Sequence, residues 1–91
     1  MARIFLTHKV KDYDQWREGY DADRERRQAA GLKEGGHFHS GDDRNSFLIV
    51  WDTEVGVAEA NDMVTGMLAD ESLAKLMEEA GVLEKPDFWV A

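Results

Sequence analysis

The chain contains no cysteine, a single proline and only eleven basic residues against nineteen acidic ones. Without cysteine there is neither a disulfide scaffold nor a thiolate metal site, and the composition fits a reducing, cytoplasmic setting. No apolar run approaches the roughly 20 residues that a membrane-spanning helix needs. The N-terminal stretch lacks the apolar core of a secretory signal, so no membrane partner is expected. A net charge of −8 repels phosphate backbones and makes nucleic acid a poor partner. Nucleophile elbow, P-loop, dinucleotide-binding and metallohydrolase motifs are all missing, as are repeats and linkers. The one basic cluster, Arg24, Arg26 and Arg27, is interleaved with Asp21, Asp23 and Glu25. Asp23 and Arg27 stand four apart, and the stretch reads as a solvated helix face.

What is present is a clear alternation of strand and helix patterns. Ile4, Leu6, His8 and Val10 alternate with Arg3, Thr7 and Lys9, a period of two. Asp12 is a good helix cap with Gln15 three positions on. Tyr13, Trp16 and Tyr20 follow at helical spacing, and the pattern predicts one helix from Tyr13 to Ala30, closed by Gly31. A second strand spans Lys33 to Ser40, where the pair Gly35-Gly36 marks a bulge or a close backbone approach. Asp42 to Asn45 is turn chemistry. Phe47 to Trp51 is apolar at every position, as in a strand covered on both faces. Thr53 is expected to cap a helix from Glu54 to about Ala69, with Val57, Ala60, Val64, Met67 and Leu68 inward. Gly56 and Gly66 within it point to close packing or to room for a ligand. Asp70 or Ser72 opens a short helix carrying Leu73, Leu76, Met77 and Ala80. Pro86 then admits a last strand, Asp87 to Ala91.

The order β-α-β-β-α-(α)-β predicts one ferredoxin-like α+β domain over residues 1–91, with a four-stranded antiparallel sheet and both long helices on one face. The third strand is apolar on both sides, so its second face needs a cover. The economical cover is the same face of a second copy, a sheet-to-sheet homodimer.

Two stretches, His8-Lys9-Val10-Lys11-Asp12-Tyr13-Asp14-Gln15-Trp16 and Asp70 to Val82, together with element order and length, resemble the dimeric α+β barrel superfamily. This group includes antibiotic-biosynthesis-monooxygenase-like domains and small cyclase-like relatives. The resemblance covers essentially the whole chain. It implies a sheet-to-sheet dimer with a pocket between sheet and helices in each subunit. The activities it implies are cofactor-independent oxygenation, cyclisation or isomerisation of a small molecule. The haem-degrading branch holds its iron through a histidine on the second helical segment. Here no predicted helix contains a histidine, which speaks against that chemistry.

The candidate chemistry rests on three histidines. His8 ends the first strand in phase with Ile4 and Leu6, and is expected beneath Trp16 and Tyr20 as an acid/base group. His37 and His39, two apart on a strand, share a face. With a four-residue loop, Gly41 would pair with Ser46, His39 with Leu48 and His37 with Val50. Three placements stay open for this pair: lining the pocket as acid/base groups, lying at the dimer interface or in solvent, or holding a metal with His8 and Asp52. Trp16, Tyr20, Phe38, Trp51, Met63 and Met67 are candidates to line an apolar pocket, with Asn61 as a hydrogen-bond donor to a carbonyl. The apolar and aromatic ones also suit a plain core, and Asn61 an exposed helix position. No cofactor is called for. Two functions follow. One is a monooxygenase- or cyclase-like enzyme acting on an apolar or aromatic molecule by histidine proton transfer. The other is a non-catalytic dimer that binds a small ligand or serves as an accessory protein.

Overall fold

A computed structural model describes all 91 residues. Strand β1 (Ala2–Lys9) leads through Asp12 into helix α1 (Tyr13–Ala22) and a short α2 (Arg24–Ala29). Strands β2 (Lys33–His39) and β3 (Ser46–Thr53) form a hairpin. Helices α3 (Val57–Ala69) and α4 (Glu71–Glu79) then precede β4 (Phe88–Val90). The sheet order is β2-β3-β1-β4, antiparallel throughout, which is the ferredoxin-like arrangement the sequence predicts. Backbone hydrogen bonds between Arg3 and Ala91 and from Thr7 to Asp87 carry the β1–β4 pairing to the ends of the expected last strand.

Helix starts follow local chemistry. The Asp12 carboxylate accepts from the backbone N–H groups of Asp14 and Gln15, and that of Asp70 from Ser72 and Leu73. Each satisfies donors that the first helical turn leaves free. Gly31 and Gly81, with φ of 80° and 89°, end α2 and α4 in the left-handed region that glycine enters without strain.

Four local expectations are corrected. The first helix is two helices, broken at Asp23 (φ −96°, ψ 12°). The next long helix begins at Val57 under Gly56, because Thr53 is still a strand residue paired with Ala2. Gly56 and Gly66 have no neighbour within 4 Å of a Cβ position, so they mark no close packing. The hairpin register is displaced by one residue: His39 faces Phe47, Phe38 faces Leu48, and His37 faces Ile49. Its cause lies in the loop. The Asp43 carboxylate accepts from the Asn45 N–H and the Ser46 hydroxyl, and the Ser40 N–H reaches Ser46 O. The loop thereby holds one residue more than a four-residue turn. In a strand a one-residue shift exchanges the faces, so both histidines turn to the helix side.

The Gly35-Gly36 bulge is present, with Gly36 at φ 141° and the register shift between Glu34 and Gly36. A Cβ on Gly35 would stand 3.1 Å from Val50 Cγ1 and 3.1 Å from Asp52 Oδ2. The core lies between the sheet and the helices. Ile4 and Leu6 of β1, Val10 just after it, and Phe47, Ile49 and Trp51 of β3 meet Tyr13, Trp16 and Tyr20 of α1 and Ala60 and Val64 of α3. Burial of each large side chain contributes about 1.5–3 kcal/mol. The other face of the sheet carries the exposed Phe38 and Trp89 beside an Arg3–Asp52 ion pair.

Candidate functional site: an apolar cavity bordered by His8

A cavity of about 490 Å³ opens between the core face of the sheet and helices α1 to α4. That is the size range of small-molecule sites. Its walls follow from the sequence pattern. β1 and β3 supply Leu6, His8, Ile49 and Trp51, and α1 supplies Trp16 and Tyr20. Val64, Met67 and Leu68 come from α3. The apolar stripe of α4 completes the wall without being buried: Leu73, Leu76 and Met77 face the space, and Leu76 stays 61 % exposed. A helix that turns its apolar side to an open cavity leaves contacts for a ligand to complete.

His8 is 7 % exposed and borders this cavity. Its ring centroid lies 5.3 Å from Trp16 and 5.5 Å from Phe47. Nδ1 is sealed off and has no hydrogen-bond partner, so any exchange of a proton with a ligand runs through Nε2. Burial among aromatic rings lowers the His8 pKa to about 4, opposed by the nearby Thr7 backbone and reinforced by His37. The ring is neutral at pH 7, since desolvation penalises the imidazolium.

Trp16 and Tyr20 stack at 4.7 Å, and the Trp51 indole donates to Tyr20 Oη at 2.7 Å. Burial raises the Tyr20 pKa, against the hydrogen bond from Trp51, so the phenol stays protonated. These groups form one rigid aromatic wall.

The structure brings His8, Trp16, Tyr20, Trp51 and Met67 together on the cavity and separates the other candidates from it. His37 lies on the same sheet face within a polar network of its own. Nδ1 is 3.0 Å from Tyr13 Oη and 3.1 Å from Arg17 Nη1, and Nε2 is 2.9 Å from Glu34 Oε1. Burial lowers its pKa, with Glu34 opposing and Arg17 assisting. His39 is exposed, packs edge-on to Tyr13 at 4.4 Å, and meets Arg44 O through Nδ1. Phe38 is 58 % exposed on the opposite face. Met63 packs against the core away from the cavity, and Asn61 is exposed on α3. The metal constellation of His8, His37, His39 and Asp52 is not assembled: Asp52 is held by Arg3 on the far face, and no group of three His, Asp or Glu side chains comes together.

One site residue escapes the sequence reading. Arg27 is 8 % exposed rather than solvated, and Asp23 pairs with Arg26 instead. The Arg27 guanidinium lies 3.5 Å over the Tyr20 ring, donates to Tyr20 O at 2.6 Å, and borders the cavity. The helix break at Asp23 turns it inward. The i,i+4 spacing masked this, because it presumes a continuous helix.

The architecture has close parallels among solved structures. A protein from Agrobacterium tumefaciens, Atu4242, superposes with a TM-score of 0.62 over 100 % of this chain and 91 % of its own, at 13 % identity. An antibiotic biosynthesis monooxygenase gives 0.58 over 100 % and 96 %, at 15 % identity. A Nitrosomonas europaea protein that carries the same name provisionally gives 0.54 over 100 % and 96 %, at 12 %. The likeness is one of fold: a four-stranded antiparallel sheet with helices on one face, shared with these structures over the whole chain. No protein-family model and no curated protein sequence matches the chain. At these identities the likeness speaks for architecture, while chemistry has to be argued from the site itself. No helix of the chain is long and apolar enough to cross a membrane.

Proposed function

We propose that the chain is a small-molecule enzyme of the monooxygenase- or cyclase-like type, and that the apolar cavity is its substrate site. The observation that carries this reading is His8, a neutral imidazole without a protein partner on its buried nitrogen, at the wall of an otherwise apolar, aromatic space. A neutral ring is the form a general base needs. In the oxygenase form, Nε2 takes a proton from an activated methylene of the substrate. The carbanion delivers electrons to O₂, and the peroxide formed at that carbon loses water to leave a carbonyl. The balance is CH₂ + O₂ → C=O + H₂O, with no external reductant. A cyclase or isomerase would use the same proton transfer without oxygen. The aromatic wall orients a planar substrate and excludes water.

A second copy is proposed to cover the outer sheet face. Phe38 and Trp89 stand 58 % and 59 % exposed there beside the half-exposed Phe5 and Leu48. Sedimentation at micromolar concentration should give a dimer, and Trp89→Ser with Phe38→Ser should give a monomer. A wild-type monomer overturns this part alone.

Oxygen uptake with anthrone, whose methylene is acidified by its flanking rings and carbonyl, tests the chemistry. One carbonyl should form per O₂ consumed, and His8→Gln should lower the rate by about 10²–10⁴-fold, the usual worth of a general base. A folded His8→Gln protein with the full rate overturns the reading. The low His8 pKa favours a second one, a ligand-binding protein without turnover, because a base this weak has little driving force at pH 7. Anthrone binding in a calorimeter with no oxygen uptake would decide for it.

A further inference from the structure

The six arginines divide five to one. Arg3 pairs with Asp52, Arg17 with Asp21 and Glu34, Arg24 with Asp21, Arg26 with Asp23, and Arg44 with Asp14. Arg27 is the single arginine without a carboxylate within 4.0 Å, and it is also the single buried one. This runs against electrostatic expectation. Nineteen carboxylates are available, and a cation withdrawn from water is the one that most needs a counter-charge. Its protein contacts are the Tyr20 ring face and the Tyr20 carbonyl. A guanidinium has five N–H donors, so most of its donor capacity is uncommitted.

Arg27 stands on the wall between the apolar cavity and a more polar groove that contains Glu34, Asp52 and Glu54. Two of those carboxylates are engaged elsewhere, Asp52 by Arg3 and Glu34 by Arg17, and none of the three reaches Arg27. On the cavity side the only other charges are Arg26 and Asp23, which neutralise each other. The chain of contacts along the cavity wall runs from His8 to Trp16 (5.3 Å), from Trp16 to Tyr20 (4.7 Å), and from Tyr20 to Arg27 (3.5 Å). Two aromatic side chains therefore separate the imidazole from the free guanidinium.

We propose that the cavity takes an elongated apolar anion, a hydrophobic carboxylate or a molecule with an equivalent anionic group, held by Arg27 through charge-assisted hydrogen bonds while its apolar body lies along Trp16 and Tyr20. This rests on reading the cavity as the substrate site, and it adds the substrate's charge and polarity: the anionic end at Arg27, the reacting end toward His8. A planar fork of donors suits a carboxylate in a way that a point charge does not. The overall charge of −8 works against anion binding, so any preference for an anion has a local origin.

The test is calorimetric titration of the intact protein with 2-naphthoate and with 2-naphthamide, which share a ring system and differ in charge. Naphthoate should bind about tenfold or more tightly, the usual margin of one charge-assisted pair. Arg27→Gln should remove that margin while naphthamide affinity holds. Arg27→Lys should retain part of it, and Arg24→Gln, which removes an equal charge from the exposed face, should leave it intact. Equal affinities for the two compounds in the unaltered protein overturn the proposal, and that measurement stands even if the Arg27 variants fail to fold. A full margin in folded Arg27→Gln overturns it as well. Its failure is separable from that of the proton-transfer reading. Loss of the charge preference with His8-dependent turnover intact removes this proposal alone, and turnover independent of His8 with the preference intact removes the other.

Discussion

His8 and His37 occupy the same face of the sheet, both pack against Phe47 and Trp16, and burial lowers the pKa of both. Their surroundings differ in one respect. His37 is enclosed by Tyr13, Arg17 and Glu34: Tyr13 and Arg17 meet its Nδ1, and its buried Nε2 lies 2.9 Å from Glu34 Oε1 without the alignment of a hydrogen bond. His8 has no hydrogen-bond partner on its buried Nδ1 and borders an open apolar space. Burial alone therefore makes a histidine neutral without making it reactive. A ring committed to three neighbours serves the structure, and a ring left uncommitted beside a cavity is free to exchange a proton with whatever enters.

The sharpest way to break this comparison is to exchange the two rings in turn. His8→Gln should abolish anthrone turnover, whereas His37→Gln should leave the rate within about threefold, since it touches no cavity residue beyond the aromatic wall. Equal losses from the two variants would put both rings in the mechanism and end the distinction.

Next in size is the acid dependence of stability. The folded pKa of each ring lies below its unfolded value near 6.5, so the unfolded chain takes up the proton first. Stability is complete above about pH 6.5 and declines as pH falls. For His8 the decline continues to about pH 4 and amounts to roughly 3 kcal/mol. His37 acts in the same direction. Denaturant unfolding between pH 7 and pH 4.5 should show this slope, reduced in His8→Gln. The losses from Asp23 and Asp52, whose ion pairs with Arg26 and Arg3 lower their pKa, come at more acid pH. An unchanged slope in His8→Gln would mean that the ring is not desolvated.

Smaller still, His37→Phe should cost about 1–2 kcal/mol at pH 7, because Glu34 and Tyr13 lose a polar partner at a partly closed site. Thermal unfolding at fixed pH measures it. Smallest, Trp51→Phe removes the indole N–H bond to Tyr20 Oη. It should cost about 1 kcal/mol for the bond and a little more for lost volume, with naphthamide binding weakened less than threefold. A larger loss would show that the aromatic wall depends on that bond for its shape.

Element order was legible because its signals are short-range. Ile4, Leu6, His8 and Val10 share a face by strand period, so the inward direction of His8 needed nothing beyond β1 and the nearby start of α1. Asp12 and Asp70 reach donors two and three residues ahead, and Gly31 and Gly81 enter the left-handed region where the helical patterns stop. Each of these is settled within about one turn of chain. The faces of His37 and His39 were not legible in the same way. They hung on one residue of loop length, and that residue is held by Asp43 contacts which the turn composition alone does not specify.

Arg27 shows where such reasoning stops. Spacing assigns it to a solvated face with Asp23, but Asp23 interrupts the helix, binds Arg26, and lets α2 turn Arg27 onto Tyr20. The sequence by itself determined the succession of elements, the inward face of β1 and the caps, since periodicity and capping act between near neighbours. Tertiary structure alone decided which histidine borders open space and which arginine is buried without a counter-charge. Those outcomes depend on contacts between residues far apart in the chain, where a one-residue shift or a single broken helix exchanges the inside for the outside.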